Sequence, residues 1–379
     1  MGGGDGGVSE SVRLLRDDGV GAAEGLALDE ALMASYHDGA PPQPPTLRLY
    51  TYASHAVLIG RSQDLVAEVD LDACRDASVG LSRRPTGGGA IVMGRDQLGL
   101  AVVDRARPGE RPRETLERLG GALCDALSAL GVPGQLRGKN DIEVAGRKVA
   151  GLGLYADGRG GILFHASLLA GLDIPFMLSV LRVPAAKLAS KGIALVADRI
   201  VTVSELLDAP LSGADLAPEV AAALARALGK SLVPGEPSTE ELALASRLVA
   251  TRYAAESWLF ARSLRQERSV GVTAATPLGT MRVELALRGD VVKSALVTGD
   301  WLELPAAAVA IEEALRWQRL DRDRLAERLA GALGRSSHGD SSLVRPDVLA
   351  ALLCDAARNR RSTFPDRRGS CYFPEVATA

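Results

Sequence analysis

The segment Arg83–Gln97, RRPTGGGAIVMGRDQ, decides how this chain is read. Two arginines end an apolar run, three consecutive glycines follow, and a second short apolar run comes after them. Gly87, Gly88 and Gly89 can take backbone conformations closed to other residues and let a ligand approach the main chain. Their N–H groups can meet an oxyanion or a phosphate. Taken alone, three glycines are more often a tight turn between strands. The segment has no G-x-x-x-x-G-K-[ST] and no dinucleotide fingerprint, so it is neither a Walker A loop nor a Rossmann turn. The adjacent Arg83 and Arg84 favour an anionic ligand, because guanidinium is the usual partner of carboxylate and phosphate.

Outward from this segment the chain reads as several short strands in succession. Val79–Arg84, Gly89–Met93 and Leu98–Val103 are strand candidates, and Thr46–Gly60 gives two β-rich runs broken near Ala53-Ser54. Succession without strand–helix alternation points to an α+β domain with a mixed or antiparallel sheet flanked by helices. Leu26–Tyr36 is a short amphipathic helix candidate. Leu116, Leu119, Leu123, Leu127 and Leu130 fall on one helix face, stopped by Gly131 and Pro133. Asp141–Tyr155 reads as a hairpin about Ala145-Gly146, and Gly160–Asp173 as a further strand.

The chain then turns helical. Asp215 can cap a helix carrying Leu216, Val220, Leu224 and Leu228, and Lys230–Ser238 reads as a linker. Ser238 and Glu241 form a capping box. After a composition shift near Gln266–Thr276 come a hairpin about Gly289-Asp290 and helices near Pro305–Trp317 and Asp321–Leu333. A last helix is expected over Pro346–Arg358. The expected organisation is a flexible tail over 1–20, a catalytic domain over 21–262, a small α+β accessory domain over 268–335 and a C-terminal extension over 336–379.

Composition narrows the function classes. Hydrophobic residues make 47% and charged residues 24%, and the net charge is −3, so no bulk field draws nucleic acid or an anionic membrane. Aromatic residues make only 4%, too few for base-stacking platforms. Cys74, Cys124, Cys354 and Cys371 lie far apart without metal-ligand spacing. No run reaches the ~20 apolar residues of a membrane span, and no signal-peptide core is present. A reduced, cytoplasmic protein is expected.

The second chemically suggestive segment is Gly138–Gly151. Arg147 and Lys148 sit next to each other on the second strand of the hairpin and point to opposite faces. One of them therefore faces inward, where a lysine beside glycines can hold a carboxylate or a phosphate; a solvated edge lysine is the commoner case. Asn140-Asp141 can serve a turn, a nucleotide or a metal. His165 is a lone histidine in an apolar strand, which is more often structural.

Together and in order, these segments resemble the lipoate–protein ligase family of the biotin/lipoate protein ligase superfamily, in its long form with a C-terminal accessory domain. RRPTGGGA is similar to the family's R-R-x-[ST]-G-G-G-A signature, and KNDIEVAGRKVAG to its R-N-D…G-R-K…[SA]-G signature. ALDEAL, VLIGRSQDLVAEVD, LASKGIALVADRIVTVSELL and YAAESWLF resemble its further segments, over roughly residues 20 to 335. The resemblance implies activation of lipoate or octanoate with ATP and Mg²⁺ to an acyl-adenylate. The acyl group then passes to a lysine of a lipoyl domain or of a glycine-cleavage H protein. It implies that Lys148 is the essential catalytic lysine, and that Arg83, Arg84, Thr86, Gly87, Gly88, Gly89, Ala90, Asn140, Asp141, Gly151 and His165 bind substrate and adenylate. Asp141 is also implied as a metal ligand.

The chain departs from the family pattern after the glycines: Met93-Gly94 stand about where a His-Asp pair is usual, and Gly151-Leu152-Gly153 replace Gly-Ser-Ala. These changes bear on the acyl chain and the acceptor. An octanoyl or lipoyl transferase of the same fold is the first alternative. Its cysteine would precede the G-R-K strand, where QLRGKNDIEVAG has none. A biotin ligase would need a G-R-G-R-x-G-type loop, which is absent. The alternative from another class is a non-catalytic acyl or lipoyl-domain binding module.

Overall fold

The structure, a computed structural model, describes residues 10–138, 140–182, 197–262, 269–277, 279–301, 306–335 and 344–359. In chain order the strands begin with β1 (Ser11–Val20), β2 (Thr46–Tyr52), β3 (Ala56–Ile59), β4 (Gly80–Arg83), β5 (Ile91–Met93), β6 (Gln97–Arg105) and β7 (Gln135–Arg137). They continue with β8 (Asp141–Val144), β9 (Arg147–Ala156), β10 (Gly161–Leu169) and β11 (Ser231–Pro234). The C-terminal unit adds β12 (Ser269–Thr276), β13 (Gly279–Arg288) and β14 (Val291–Gly299).

The main sheet has eight strands in the order β11-β1-β2-β6-β10-β9-β8-β7. Its β11/β1 and β1/β2 pairs are parallel and the others antiparallel, so the expected mixed sheet is present. Side-chain alternation gives it two faces. Leu47, Leu49, Leu98, Leu100, Val102 and Phe164 face the leucine-spaced helix Pro112–Ala129 and the helix Gly213–Ala227. The other face carries helix Ala22–Ala34 and a three-stranded sheet, β4-β3-β5. The helix read as amphipathic is buried on more than one side: Leu26, Ala27, Leu28, Asp29, Ala31, Leu32 and Met33 are all buried, because it lies between layers.

Four boundaries differ from the sequence reading. Residues 11–20 are no tail: they form β1, with Val12 and Leu15 buried and Arg13 held 2.7 Å from Glu241. Ser231–Pro234, read as linker, adds a parallel edge strand to β1. Ser212 is the true N-cap ahead of Asp215, which closes the capping box from the third helical position. Helix Pro346–Arg358, placed in the extension, packs Leu349, Leu353 and Cys354 into the accessory core, so that unit reaches past residue 335.

The accessory unit stacks helices Ala306–Leu315 and Arg322–Arg335 against β12-β13-β14. Its backbone is hydrogen-bonded to the main unit at Gly299 N–H to Ser62 C=O, 3.0 Å, and at Gly88 N–H to Trp301 C=O, 2.8 Å. Expectations for Leu188–Val196, for residues 336–343 and for the tail with Cys371 lie outside the described residues. Among the described residues no helix is long and apolar enough to cross a membrane.

Candidate active site

A cavity of about 430 Å³ opens on the inner face of the main sheet. Its floor follows from strand register. Asp141, Gly151, Ser167, Gly99 and Tyr50 are successive cross-strand partners on β8, β9, β10, β6 and β2. The neighbouring row runs Gly153, His165, Ala101 and Arg48. Small residues in the middle of both rows leave a trough crossing the strands. The glycines are required: a Cβ on Gly99 would lie 2.5 Å from the Tyr50 ring, and one on Gly153 would lie 3.1 Å from Thr86.

One end of the trough is charged. Lys148 Nζ lies 2.7 Å from Asp141 Oδ1, with Asn140, Glu143 and Arg199 around it. Simple alternation would put Lys148 on the face of Ala150 and Leu152, among the helix-side core. A β-bulge corrects this: Ile142 pairs with Ala150 but Glu143 pairs with Lys148, leaving Val149 as the extra residue. Lys148 is thereby turned to the face of Gly151, and a Cβ on Gly151 would sit 3.1 Å from its Nζ. Its backbone is fixed from the other side, with N–H donating to Arg199 C=O and C=O accepting from Val201 N–H. Arg147 points away, 3.5 Å from Glu205 at the surface. The Ala145-Gly146 turn has φ of 49° and 79°, as a tight hairpin requires.

The glycine loop forms the roof. Thr86, Gly87, Gly88 and Gly89 line the cavity. Gly88 has φ 91°, and its carbonyl comes so close to Gly60 that a Cβ there would lie 1.9 Å away. Arg84 lines the cavity, but its guanidinium holds the loop: it donates to the carbonyls of Gly87 (3.2 Å), Gly89 (2.7 Å) and Leu58 (2.5 Å). Arg83 does not reach the cavity. It is fully buried and donates to the carbonyls of Gly60, Arg61, Gln63, Trp258 and Leu259. Burial pushes its guanidinium down to about 10. The expected substrate contact by Arg83 is therefore replaced by a clamp on main chain. Ala90 likewise packs with Val57 and Ile59 rather than lining the site.

Asn140, Asp141, Gly151 and His165 all line the cavity. Asn140 is also structural, its Nδ2 donating to Leu152 C=O at 3.0 Å. Val92 and Met93 end β5 and Gln97 opens β6, all three buried; the turn between them exposes Arg95 and Asp96, and of these six residues only Met93 lines the site. Gly94 is needed there because a Cβ would lie 2.8 Å from His55.

Asp29, which the sequence reading did not single out, lies behind the cavity wall and holds residues that line it. It is buried and binds Arg48 Nη1 (2.7 Å), His165 Nε2 (2.8 Å) and the Tyr50 hydroxyl (3.1 Å). Burial pushes its carboxyl up, but Arg48 and His165 outweigh this and hold it below the usual range. The signal was present in ALDEAL as an acid inside an apolar helix, although its partners came from β2 and β10. Tyr50 and Tyr52 close the inner end of the cavity with Leu26, Leu58, Ile91 and Met93.

None of the described cysteines lines the cavity. Burial pushes the Cys74 thiol up to about 11, and raises Cys124 and Cys354 as well. Among the described residues no three potential ligand side chains are grouped as a metal site. Asp141 stands with Glu143 and Asp300 on the cavity wall, which suits an ion bound by one or two carboxylates and completed by phosphate oxygens.

Residues 21–225, more than half of the chain, match the lipoyl protein ligase A/B catalytic domain. The octanoyltransferase LipM of Symbiobacterium thermophilum is 34% identical over 62% of this chain and 93% of its own. The bipartite lipoate protein ligase of Thermoplasma acidophilum, studied with its E2 lipoyl domain, superposes with a TM-score of 0.60 at 26% identity, covering 68% of this chain and 98% of that one. A lipoate-protein ligase A bound with ATP gives 0.57 at 26% identity, over 66% and 98%. The fold agrees with these matches, and the chain belongs to the lipoyl protein ligase A/B family, enzymes of lipoyl or octanoyl transfer.

Proposed function

We propose that this chain is an ATP-dependent acyl–protein ligase. It would convert lipoate or octanoate to an acyl-adenylate and pass the acyl group to a lysine of a lipoyl domain or H protein. The observation that carries the reading is the convergence of Lys148, held by Asp141, and the Gly87–Gly89 loop on one cavity whose far end is closed by aromatic and aliphatic side chains. In the first step the acid's carboxylate attacks the α-phosphorus of ATP, and the bond to the pyrophosphate leaving group breaks. Two anions must approach each other, and Lys148 is the fixed cation that offsets them. In the second step the acceptor amine attacks the acyl carbon, loses a proton, and AMP leaves. Lys148 then stabilises the departing phosphate. Magnesium, when bound beside Asp141, would neutralise phosphate charge.

The similarity to an octanoyltransferase favours a second reading, acyl transfer through a cysteine thioester. The described cysteines oppose it. Each is outside the cavity and has its thiol raised, whereas a nucleophilic cysteine needs a lowered one. Support for ATP use comes from the relative solved with ATP, and support for a lipoyl-domain acceptor from the ligase studied with one.

Mass spectrometry of an apo lipoyl domain and an apo H protein, incubated with the full chain, separates the readings. ATP, Mg²⁺ and free lipoate or octanoate should give an acylated acceptor. Acylation only from an acyl carrier protein thioester, without ATP, would replace the ligase by the transferase.

A further inference from the structure

Ser167 is a polar side chain of the trough floor that belongs neither to the lysine cluster nor to the glycine loop. It stands on β10 between its cross-strand partners, Gly151 of β9 and Gly99 of β6. Along the floor it is one strand spacing, ~4.8 Å, nearer than Gly151 to the apolar end at Tyr50. Its side chain lines the cavity and is half-buried. Among the described residues its hydroxyl makes no hydrogen bond. Gly151 shows where that hydroxyl points. A Cβ on Gly151 would lie 3.1 Å from Lys148 Nζ and 3.4 Å from Ser167 Oγ. Both polar ends therefore face one small space, open because residue 151 has no side chain.

The two groups are not equivalent. Asp141, 2.7 Å from Lys148, favours the charged form of the lysine. A charged lysine cannot take the serine's proton, so Ser167 is a neutral donor and not an activated nucleophile. Its place suits the oxygen next to a phosphate. In an acyl-adenylate laid along the trough, with phosphate at Lys148 and chain toward Tyr50, the group that follows the phosphate is the acyl carbonyl.

We propose that Ser167 is a catalytic oxyanion donor of the acyl-transfer step, completing with Lys148 a two-donor cradle over Gly151; the inference rests on the acyl-ligase reading. When the acceptor amine attacks the acyl carbon, the carbonyl π pair moves onto its oxygen, and the Ser167 O–H donates to that oxygen. The pair returns as the carbon–oxygen bond to the phosphate breaks. AMP leaves, and the amine's proton passes to water. In adenylation the attacking carboxylate loses charge instead of gaining it, so the same hydroxyl gives that step no help.

The test supplies preformed octanoyl-adenylate to the full chain with an apo lipoyl domain or an apo H protein. Acylation of the acceptor is followed by mass spectrometry, beside octanoate-dependent ATP–pyrophosphate exchange. Ser167→Ala should lower kcat for transfer about a hundredfold, with KM for the acceptor and the exchange rate within a few-fold of wild type. A merely structural serine would move exchange and transfer together. Transfer by Ser167→Ala at the wild-type rate, an equal loss in exchange and transfer, or an octanoyl ester on Ser167 would overturn this inference alone. A wild type that acylates neither acceptor would remove the ligase reading and the inference with it.

Discussion

Arg83 and Trp258 are tied reciprocally: Arg83 Nε donates to the Trp258 carbonyl at 2.9 Å, and Trp258 Nε1 donates to the Arg83 carbonyl at 2.9 Å. The pair joins the strand that leads into the glycine loop to the short helix Glu256–Leu259 that closes the catalytic unit. With three further carbonyls at Gly60–Gln63, Arg83 gathers main chain from two distant stretches. Arg83→Met removes all these donors and leaves buried acceptors unpaired. It should cost about 3 kcal/mol or more, read as a lower denaturant midpoint, while the molecules still folded keep their turnover. A stable Arg83→Met protein with lost activity would return this arginine to the substrate.

The contrast between Arg83 and its neighbour shows where sequence reading reaches its limit. That two arginines precede a glycine loop is legible, and so is the tendency of guanidinium to meet oxygen. Whether the oxygens belong to phosphate or to backbone carbonyls depends on Trp258 and Leu259, some 175 residues away. Local signals did better. The Ala145-Gly146 turn, the leucine-spaced helix and the capping box at Ser238 lie where their spacing put them. The bulge at Val149 was not legible, because the bulged strand reads as an unbroken β run and only its partner β8 reveals the extra residue. β1 was hidden for a similar reason: beside a glycine-rich start, only its pairing with β2 and β11 distinguishes it from a tail.

The bulge makes Lys148 the residue whose loss should matter most. Lys148→Ala should lower lipoate-dependent ATP–pyrophosphate exchange by about 10²–10³-fold, the scale of removing one preorganised charge partner from a transition state. The side chain is only partly buried, 22% exposed, so the fold should survive, as circular dichroism and the melting temperature would report. Lys148→Arg should not rescue, since a planar fork does not replace a point charge on a flexible stem. Exchange within a few-fold of wild type in the alanine variant would remove Lys148 from the chemistry.

Gly153 tests whether the trough is the acyl channel. A Cβ at this position meets Thr86 at 3.1–3.2 Å, so the roof must shift or the channel narrow. Gly153→Val should therefore raise KM for the acid at least tenfold, with ATP affinity nearly unchanged. Gly109→Ala is a control at a surface turn with open space around it, where the strain of its φ of 77° acts far from the site. If Gly153→Val binds the acid as the wild type does, the chain runs elsewhere.

The seam between the two units should respond to pH. Glu68, at the end of helix Leu65–Glu68, faces Arg282 and Asp300 of the accessory unit and Asp64 of its own. Burial pushes its carboxyl up to about 8, against the pull of Arg282 and with the help of Asp300 and Asp64. Glu284 nearby is raised for the same reason, burial, opposed by Arg282 and assisted by Asp64. The folded protein therefore keeps a proton on Glu68 that the unfolded chain loses above its ordinary value of 4.5. Between about 4.5 and about 8 the native state binds more protons than the unfolded state, so stability falls as pH rises through this window. Glu68→Gln fixes the neutral form. Its melting temperature should match the wild type near pH 5 and exceed it near pH 9 by a few degrees, the scale of about 1 kcal/mol in a chain of this size. A variant less stable than the wild type near pH 9 would mean that Glu68 works at the seam as an ionised partner of Arg282.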